Sequence, residues 1–264
     1  MEILQSNRIN LFIQTLLAVA ILLLYFIVII IALTPPIARD ALIHHLAIPK
    51  LWLVNGGFYE IKWADFSYYP MNIDLLYLIS LYFNNDILPN FIHMGFGIGT
   101  AWIIYRYLNR HFNRVAGLLG VLVFASTPIV LRMSTVAYVD LGLAFFTTVS
   151  VLAFIHWRKG AYEEFKWLLI SSVAMGLALG TKYNALIAWV FLSFSVVFLY
   201  SRDTGQQWRA IRYGIIFFLV SLCLFSPWLI KNLILTGNPL YPLFKSFFHP
   251  GMLSVAPDGS ARSM

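Results

Sequence analysis

Two aspartates stand at the ends of long apolar runs: Asp40 shortly follows the first run, and Asp140 begins a later one. Cations and histidines occupy similar positions, and these are Arg39, His44, His45, Arg132, Lys182 and Lys231. Ionisable groups beside hydrocarbon are costly and tend to face a cavity or a partner. In such a set, one carboxylate could act as a general base while the cations hold an anionic head group.

Each of these residues also has a simpler structural explanation. Asp40 and Asp140 precede helical segments, where aspartate is a favoured N-cap. Adjacent histidines on a helix point about 100° apart, so His44 and His45 are poorly placed to bind one metal ion. Lys182 interrupts a long uncharged stretch and could simply extend its amine to the membrane surface. A metal site is therefore not favoured, and the sequence contains no cofactor motif.

The composition is that of a membrane protein. Of the 264 residues, 60% are hydrophobic and 11% are charged, and the mean hydropathy is +0.79. A soluble domain has about 25% charged residues, so this chain has too little polar surface to form a soluble globule. The composition excludes a disordered chain and a nucleic-acid-binding module. We predict an all-α polytopic membrane protein.

A helix that spans a membrane needs about 20 mostly apolar residues. We predict seven spans, at about 16–33, 89–105, 115–131, 140–157, 167–180, 184–201 and 213–232. Residues 167–200 contain one charge, Lys182, and could instead form one long helix. That helix would reach about 50 Å, well beyond the bilayer, so a break at 180–184 is preferred.

Basic residues predict the orientation of these spans. Segments 1–10, 106–114, 158–166 and 202–212 contain ten of the 18 Lys and Arg residues in 39 positions. The remaining eight are spread over about 101 positions of the opposite segments, at roughly a third of that density. Because basic loops stay on the cytoplasmic side, the N-terminus is predicted to be cytoplasmic, in the inner (plasma) membrane.

The first outer loop, about 35–88, is the largest hydrophilic feature. Residues 40–54 and 72–83 have apolar side chains at helical spacing, which predicts amphipathic helices at the membrane interface. Aromatic residues between them suit the headgroup zone, and anchoring the loop is an alternative explanation for them. We predict one transmembrane domain over 1–245, followed by a polar outer tail over 246–264 that could be truncated.

The segment Asp40-Ala-Leu-Ile-His-His-Leu-Ala-Ile-Pro-Lys50 resembles the first outer loop of the GT-C class of membrane glycosyltransferases. This class includes the protein O-mannosyltransferases, the lipid A aminoarabinose transferase and bacterial lipopolysaccharide sugar transferases. Further similar stretches are 137–146, 176–186 and 227–242, and the resemblance covers about residues 10–245. Where the class often has Asp-Glu, this chain has Asp40-Ala41.

The resemblance implies an inverting glycosyltransferase with its active site on the outer face. It would move a sugar from a polyprenyl-phosphate donor to a glycan, lipid or protein acceptor. Asp40 would be the general base and Asp140 the second acidic residue. The candidate residues for substrate and lipid-phosphate binding are Lys182, Lys231, Arg132, Arg39, His44 and His45.

Two other interpretations remain. Because members of the class are usually longer, the chain could be an inactive or partial membrane fragment or an assembly partner. A transporter or flippase for a lipid-linked substrate would need polar or helix-breaking residues near the bilayer midplane and symmetry between its halves. The sequence has neither feature, and its polar residues collect at one predicted face.

Overall fold

The computed structural model describes residues 2–248, and helices dominate this part of the chain. The helices are α1 (Glu2–Ala32), α2 (Ala47–Asn55), α3 (Asn72–Tyr82), α4 (Leu88–His111), α5 (Arg114–Ser126), α6 (Pro128–Met133), α7 (Asp140–Lys159), α8 (Phe165–Leu179), α9 (Ala185–Thr204), α10 (Gln207–Thr236) and α11 (Lys245–Phe248). A π-helical segment, Ala41–Leu46, precedes α2, and a short 3₁₀ turn, Asp65–Tyr68, precedes α3. The predicted all-α class is confirmed. The predicted tail beyond Phe248 lies outside the described residues.

Four helices of the described part are long and apolar enough to cross a membrane. They are Ile9–Ala32, Asp140–Lys159, Ala185–Thr204 and Gln207–Thr236. Three apolar helices are shorter, namely Asn72–Tyr82, Arg114–Ser126 and Phe165–Leu179. Each of the seven predicted spans coincides at least in part with a helix, but the count of seven crossings stays a prediction.

Two of the apolar runs are interrupted, so that each forms two helices. The predicted span 115–131 is divided, because α5 ends at Ser126 and Thr127 adopts a ψ of 126°. A residue before proline is biased away from helical geometry, and Pro128 then begins α6. The preferred break within 167–200 is confirmed, since α8 ends at Leu179 and α9 begins at Ala185.

The helices form a bundle with two distinct ends. At the loop end, which contains residues 33–87, α1, α8 and α10 end while α4, α7 and α9 begin. At the opposite end, the helix ends that flank the α4–α5, α7–α8 and α9–α10 connections carry nine of the 18 Lys and Arg residues. α1 packs mainly against α5 and leaves most of its apolar side chains exposed, as suits a helix that faces lipid.

Small and hydroxyl side chains bring α7, α8 and α10 close together. Ser150 and Ser171 each donate a hydrogen bond of 2.8 Å to the other's backbone carbonyl, and Ser221 donates to the Ser172 carbonyl at 2.9 Å. A side chain at Gly176 would place its Cβ 2.8 Å from the Ser221 carbonyl oxygen. Membrane helices use such small residues to approach closely, because hydrophobic burial contributes little between them in lipid.

We therefore expect Gly176→Leu to destabilise the bundle by about 1–3 kcal/mol, because α8 must move away from α10. The measurement is the loss of the monodisperse peak after heating in detergent, followed by size-exclusion chromatography. Gly95→Leu is the matched control, since Gly95 lies in α4 with open space where a side chain would be added. Equal melting temperatures for the two variants would contradict the proposed close contact.

Candidate active site at the loop end

His93, a buried histidine of α4, fixes the start of α7. Its Nε2 accepts a hydrogen bond of 2.9 Å from the Leu141 backbone N–H. Its Nδ1 donates to the carbonyls of Met133 and Val136, at 2.9 and 2.8 Å. The ring therefore ties α4 both to the α6–α7 connection and to the first turn of α7, which begins with Asp140. A single histidine in an apolar run gave no sequence signal of this role.

Asp140 and Lys182 form an ion pair across this end of the bundle. The Lys182 Nζ lies 2.8 Å from the Asp140 Oδ1, and each side chain is a little over a third exposed. Asp140 therefore does not act as the N-cap, a position that Val139 occupies without a side-chain hydrogen bond. Because α8 ends at Leu179 and α9 begins at Ala185, Lys182 lies in the connection between two helices and not along a helix face. The pair stays accessible to a substrate that enters from the loop end.

Asp40 is exposed and its carboxylate is not used for capping. It precedes the π-helical segment Ala41–Leu46 but makes no side-chain hydrogen bond to it, so the N-cap explanation does not hold. Burial raises the pKa of the neighbouring Tyr138, and the negative charge of Asp40 and its hydrogen bond from the Tyr138 hydroxyl raise it further. Arg132 opposes this rise and Asp140 adds to it. Asp40, Arg132 and Asp140 thus share the surroundings of one phenol.

A second pair of oppositely charged residue types, a histidine and an aspartate, is buried at the loop end. The Nδ1 atom of His45 is 2.6 Å from the Oδ1 atom of Asp74, and both side chains are buried. Asp74 is in α3, within the predicted helix 72–83, but its pairing was missed because the periodicity of α3 does not show which loop segment packs on it. In the part of the chain that the structure describes, no three His, Cys, Asp or Glu side chains group to hold a metal ion.

His44 is part of an aromatic stack beside this pair. Its ring centroid lies 3.9 Å from that of His45 and 4.6 Å from that of Phe66. Burial above all, and then the neighbouring His45, lower the pKa of His44 to about 4, against the opposing charges of Asp74 and Asp40. His44 is therefore neutral near pH 7 and offers a ring face and a hydrogen bond rather than a positive charge.

Asn72 fastens the first loop to the far part of the chain. Its backbone N–H donates to the Gly180 carbonyl at 2.8 Å, and its Oδ1 accepts from the Trp228 indole N–H at 2.8 Å. The amide nitrogen points to the Leu177 carbonyl at 3.4 Å. A Cβ at Gly180 would lie 2.1 Å from the Asn72 amide nitrogen, so this position requires glycine. These hydrogen bonds of Asn72, here called the clasp, join the start of α3 to the connection between α8 and α9, which contains Lys182.

Lys231, near the end of α10, contacts the first loop through a backbone carbonyl and an aromatic ring. Its Nζ donates to the Ser67 carbonyl at 2.6 Å and sits over the rings of Trp228 and Trp52, at 4.8 and 5.9 Å. Next to it, buried Asn232 donates to the Tyr68 carbonyl at 2.8 Å. The Lys231 amine thus holds the 3₁₀ turn, and its predicted binding of phosphate stays a prediction.

The other predicted cations differ in position. Arg39 is exposed and makes no ion pair or hydrogen bond within the described chain. Arg132 is also exposed, at the last turn of α6, and lines an apolar groove beside α1. The structure therefore brings Asp40, Asp140, Lys182 and Arg132 toward one place.

We expect Asn72→Ala to destabilise the protein by about 1–3 kcal/mol, because the Trp228 indole N–H would be buried without a partner. The apparent melting temperature in detergent and the rate of proteolysis within residues 56–66 measure this effect. Asn55→Ala is the control, since Asn55 is exposed and makes only a local contact of 3.4 Å with the Gly57 carbonyl. Both readouts should move for Asn72→Ala alone, and unchanged values would rule out the clasp.

One family model matches this chain, over residues 56–237, and its description is dolichyl-phosphate-mannose-protein mannosyltransferase. The match includes Arg132, Asp140, Lys182 and Lys231, and it begins after the segment that contains Asp40. Comparison with curated proteins and with solved structures gives no match. The matched residues form more than half of the chain and include three of the four apolar helices of spanning length. The chain therefore belongs to the dolichyl-phosphate-mannose-protein mannosyltransferase family, an integral-membrane glycosyltransferase family of the GT-C type.

Proposed function

We propose that the protein is an inverting glycosyltransferase that moves a sugar from a polyprenyl-phosphate donor to an acceptor hydroxyl. The observation that carries this proposal is the exposed, uncapped carboxylate of Asp40 near the accessible Asp140–Lys182 pair. An exposed carboxylate that pairs with no cation in the described chain, and a nearby cation, are what a base and a phosphate-binding group need. The basic helix ends opposite the loop support a cytoplasmic N-terminus and, with it, a proposed reaction on the outer face of the plasma membrane.

In the proposed reaction, Asp40 accepts the proton of the acceptor hydroxyl. The hydroxyl oxygen then attacks the anomeric carbon from the face opposite the phosphate. The bond between this carbon and the phosphate oxygen breaks, so the configuration inverts and polyprenyl phosphate leaves. No external co-reactant is needed, because the departing phosphate takes the bonding electron pair.

Charge on the departing phosphate is the main electrostatic demand of this step. Lys182 can meet it because its amine is held in place by Asp140 and remains over a third exposed. Arg132 supplies a second cation without a carboxylate partner in the described chain. Fixed cations of this kind stabilise the developing charge with little rearrangement during the reaction.

An apolar groove beside Arg132 supports a lipid-linked donor. The groove has a volume of about 570 Å³ and lies between α1 and the α6 region. Apolar side chains of α1 from Ala20 to Ile31 form one wall, and Arg132 and Thr135 are on the other. A polyprenyl chain would lie along α1 with its phosphate at Arg132. The aromatic stack of His44 and Phe66 offers a flat surface for the sugar.

We expect Asp40→Asn to reduce transfer by about a hundredfold or more, because the amide cannot accept the hydroxyl proton. The assay uses purified protein, labelled dolichyl-phosphate mannose and a membrane extract as the source of acceptors, with free dolichyl phosphate as a second readout. Asp86→Asn removes another exposed carboxylate of the same loop and should leave the rate unchanged. Equal rates in Asp40→Asn and wild type would exclude Asp40 as the base. Absence of turnover in wild-type protein with dolichyl- and undecaprenyl-linked donors would contradict the proposed function.

We expect Lys182→Met to weaken use of the donor by about tenfold to a hundredfold, the size of one lost charge-assisted hydrogen bond. The double variant Asp140→Asn/Lys182→Met separates two roles for this lysine. If Lys182 binds the phosphate, the double variant stays at least as impaired as Lys182→Met. Recovery in the double variant would show that Lys182 serves only to neutralise Asp140. Donor KM and kcat are measured for each variant, with Lys62→Met as the control for an exposed lysine of the same loop.

A further inference from the structure

A second groove lies at the opposite end of the bundle, away from the candidate active site. It has a volume of about 610 Å³ and lies between α4, α7 and the first part of α8. Its charged end contains Arg106, Arg110 and Lys159, together with His111 and His156. Its other end is apolar and includes Ile103, Val149 and Leu152. The groove is therefore amphipathic along the direction of the helices.

The cations of this groove have no carboxylate partner within the described chain. Lys159 lies 3.4 Å from the His111 ring nitrogen and 6.0 Å from the centre of the Tyr107 ring, while Arg106 lies over the Trp102 ring. The adjacent Arg158 differs, since its guanidinium is bound to Asp203 at 2.7 Å.

Glu164 is a carboxylate close to the groove, and its own partners are Lys166 and the Trp167 indole N–H. It lies within electrostatic range of His156 but does not line the groove. The groove therefore presents an excess of positive charge, since Arg106, Arg110 and Lys159 form no ion pair in the described chain.

Groove length favours a lipid over a soluble anion. Val149 and Lys159 are ten residues apart on α7, which corresponds to about 15 Å of helix. This is about half of a hydrocarbon core that is roughly 30 Å thick, so the groove matches one leaflet. A free phosphate would use only the charged end and leave the apolar wall bare.

We propose that this groove binds an anionic phospholipid from the leaflet at this end, which is the predicted cytoplasmic one. The phosphate lies among Arg106, Arg110 and Lys159, and an acyl chain runs between α4 and α7. Basic pockets between membrane helices are suited to such head groups, and each cation near the surface contributes about 1 kcal/mol. The site is separate from the proposed sugar-transfer site and does not depend on that activity.

The test measures lipid retention by native mass spectrometry on the purified protein in detergent. The probes are phosphatidylglycerol, phosphatidylcholine with the same acyl chains, and inorganic phosphate. We expect wild-type protein to retain phosphatidylglycerol preferentially and Arg106→Gln/Arg110→Gln to bind it about tenfold more weakly or worse. Lys159→Gln provides an independent single variant and should show a smaller loss.

Arg209→Gln/Arg212→Gln is the matched control. These two arginines are exposed, lie three residues apart at the same end of the bundle on α10, and do not line the groove. The proposal is supported if this control retains phosphatidylglycerol as wild type does. Equal loss in both double variants would reduce the effect to general charge and overturn the proposal. Equal retention of phosphatidylcholine, or full competition by inorganic phosphate alone, would also overturn it.

Discussion

The buried polar backbone of residues 67–72 is the constraint on which the loop end depends. Unpaired carbonyl and N–H groups are costly away from water, so this segment can pack against apolar helices only with partners for its polar groups. Asn232 and Lys231 of α10 bind the carbonyls of Tyr68 and Ser67, and Asn72 binds Gly180 and Trp228. These hydrogen bonds satisfy the polar groups of the loop backbone, as backbone hydrogen bonds do inside a helix. The loop is thereby fixed relative to the break that contains Lys182.

The His45–Asp74 pair and the Asp140–Lys182 pair differ in their exposure to water, and this difference suits them to different roles. His45 and Asp74 are both buried, so each compensates the other where water is absent. Asp140 and Lys182 are over a third exposed, so solvent shares in stabilising them and a substrate can compete for either group. The buried pair therefore suits a structural role in holding the loop, and the accessible pair suits a role in substrate binding.

Hydrophobic runs predicted the helical class, and each predicted span overlaps a helix, because burial in lipid imposes length and composition. The bounds agree less well, since α1 begins well before residue 16 and the run 115–131 is divided between α5 and α6. Pro128, which begins α6, marks the end of α5 just before it, but a hydropathy run alone does not contain this signal. The joint position of Asp40, Asp140 and Lys182 at one end followed from counting crossings. The partnership of Asp74 with His45, and the contacts that His93 makes, could not be predicted, since they depend on packing between segments distant in sequence. Lys231 shows the same limit, because its partner is a backbone carbonyl that has no residue signature.

The candidate active site and the second groove differ in how their cations are neutralised. At the loop end, Lys182 and His45 meet acidic side chains within the fold, which leaves Asp40 as an exposed carboxylate able to take a proton. In the described part of the chain, the cations of the second groove have no carboxylate partner, and the groove also has apolar walls. Cations next to hydrocarbon are stabilised by an anion, and a membrane supplies anions as lipid head groups. Under the proposed function and the proposed lipid site, the pairing of Lys182 with Asp140 would keep the loop-end site accessible, while an anionic lipid would neutralise the second groove.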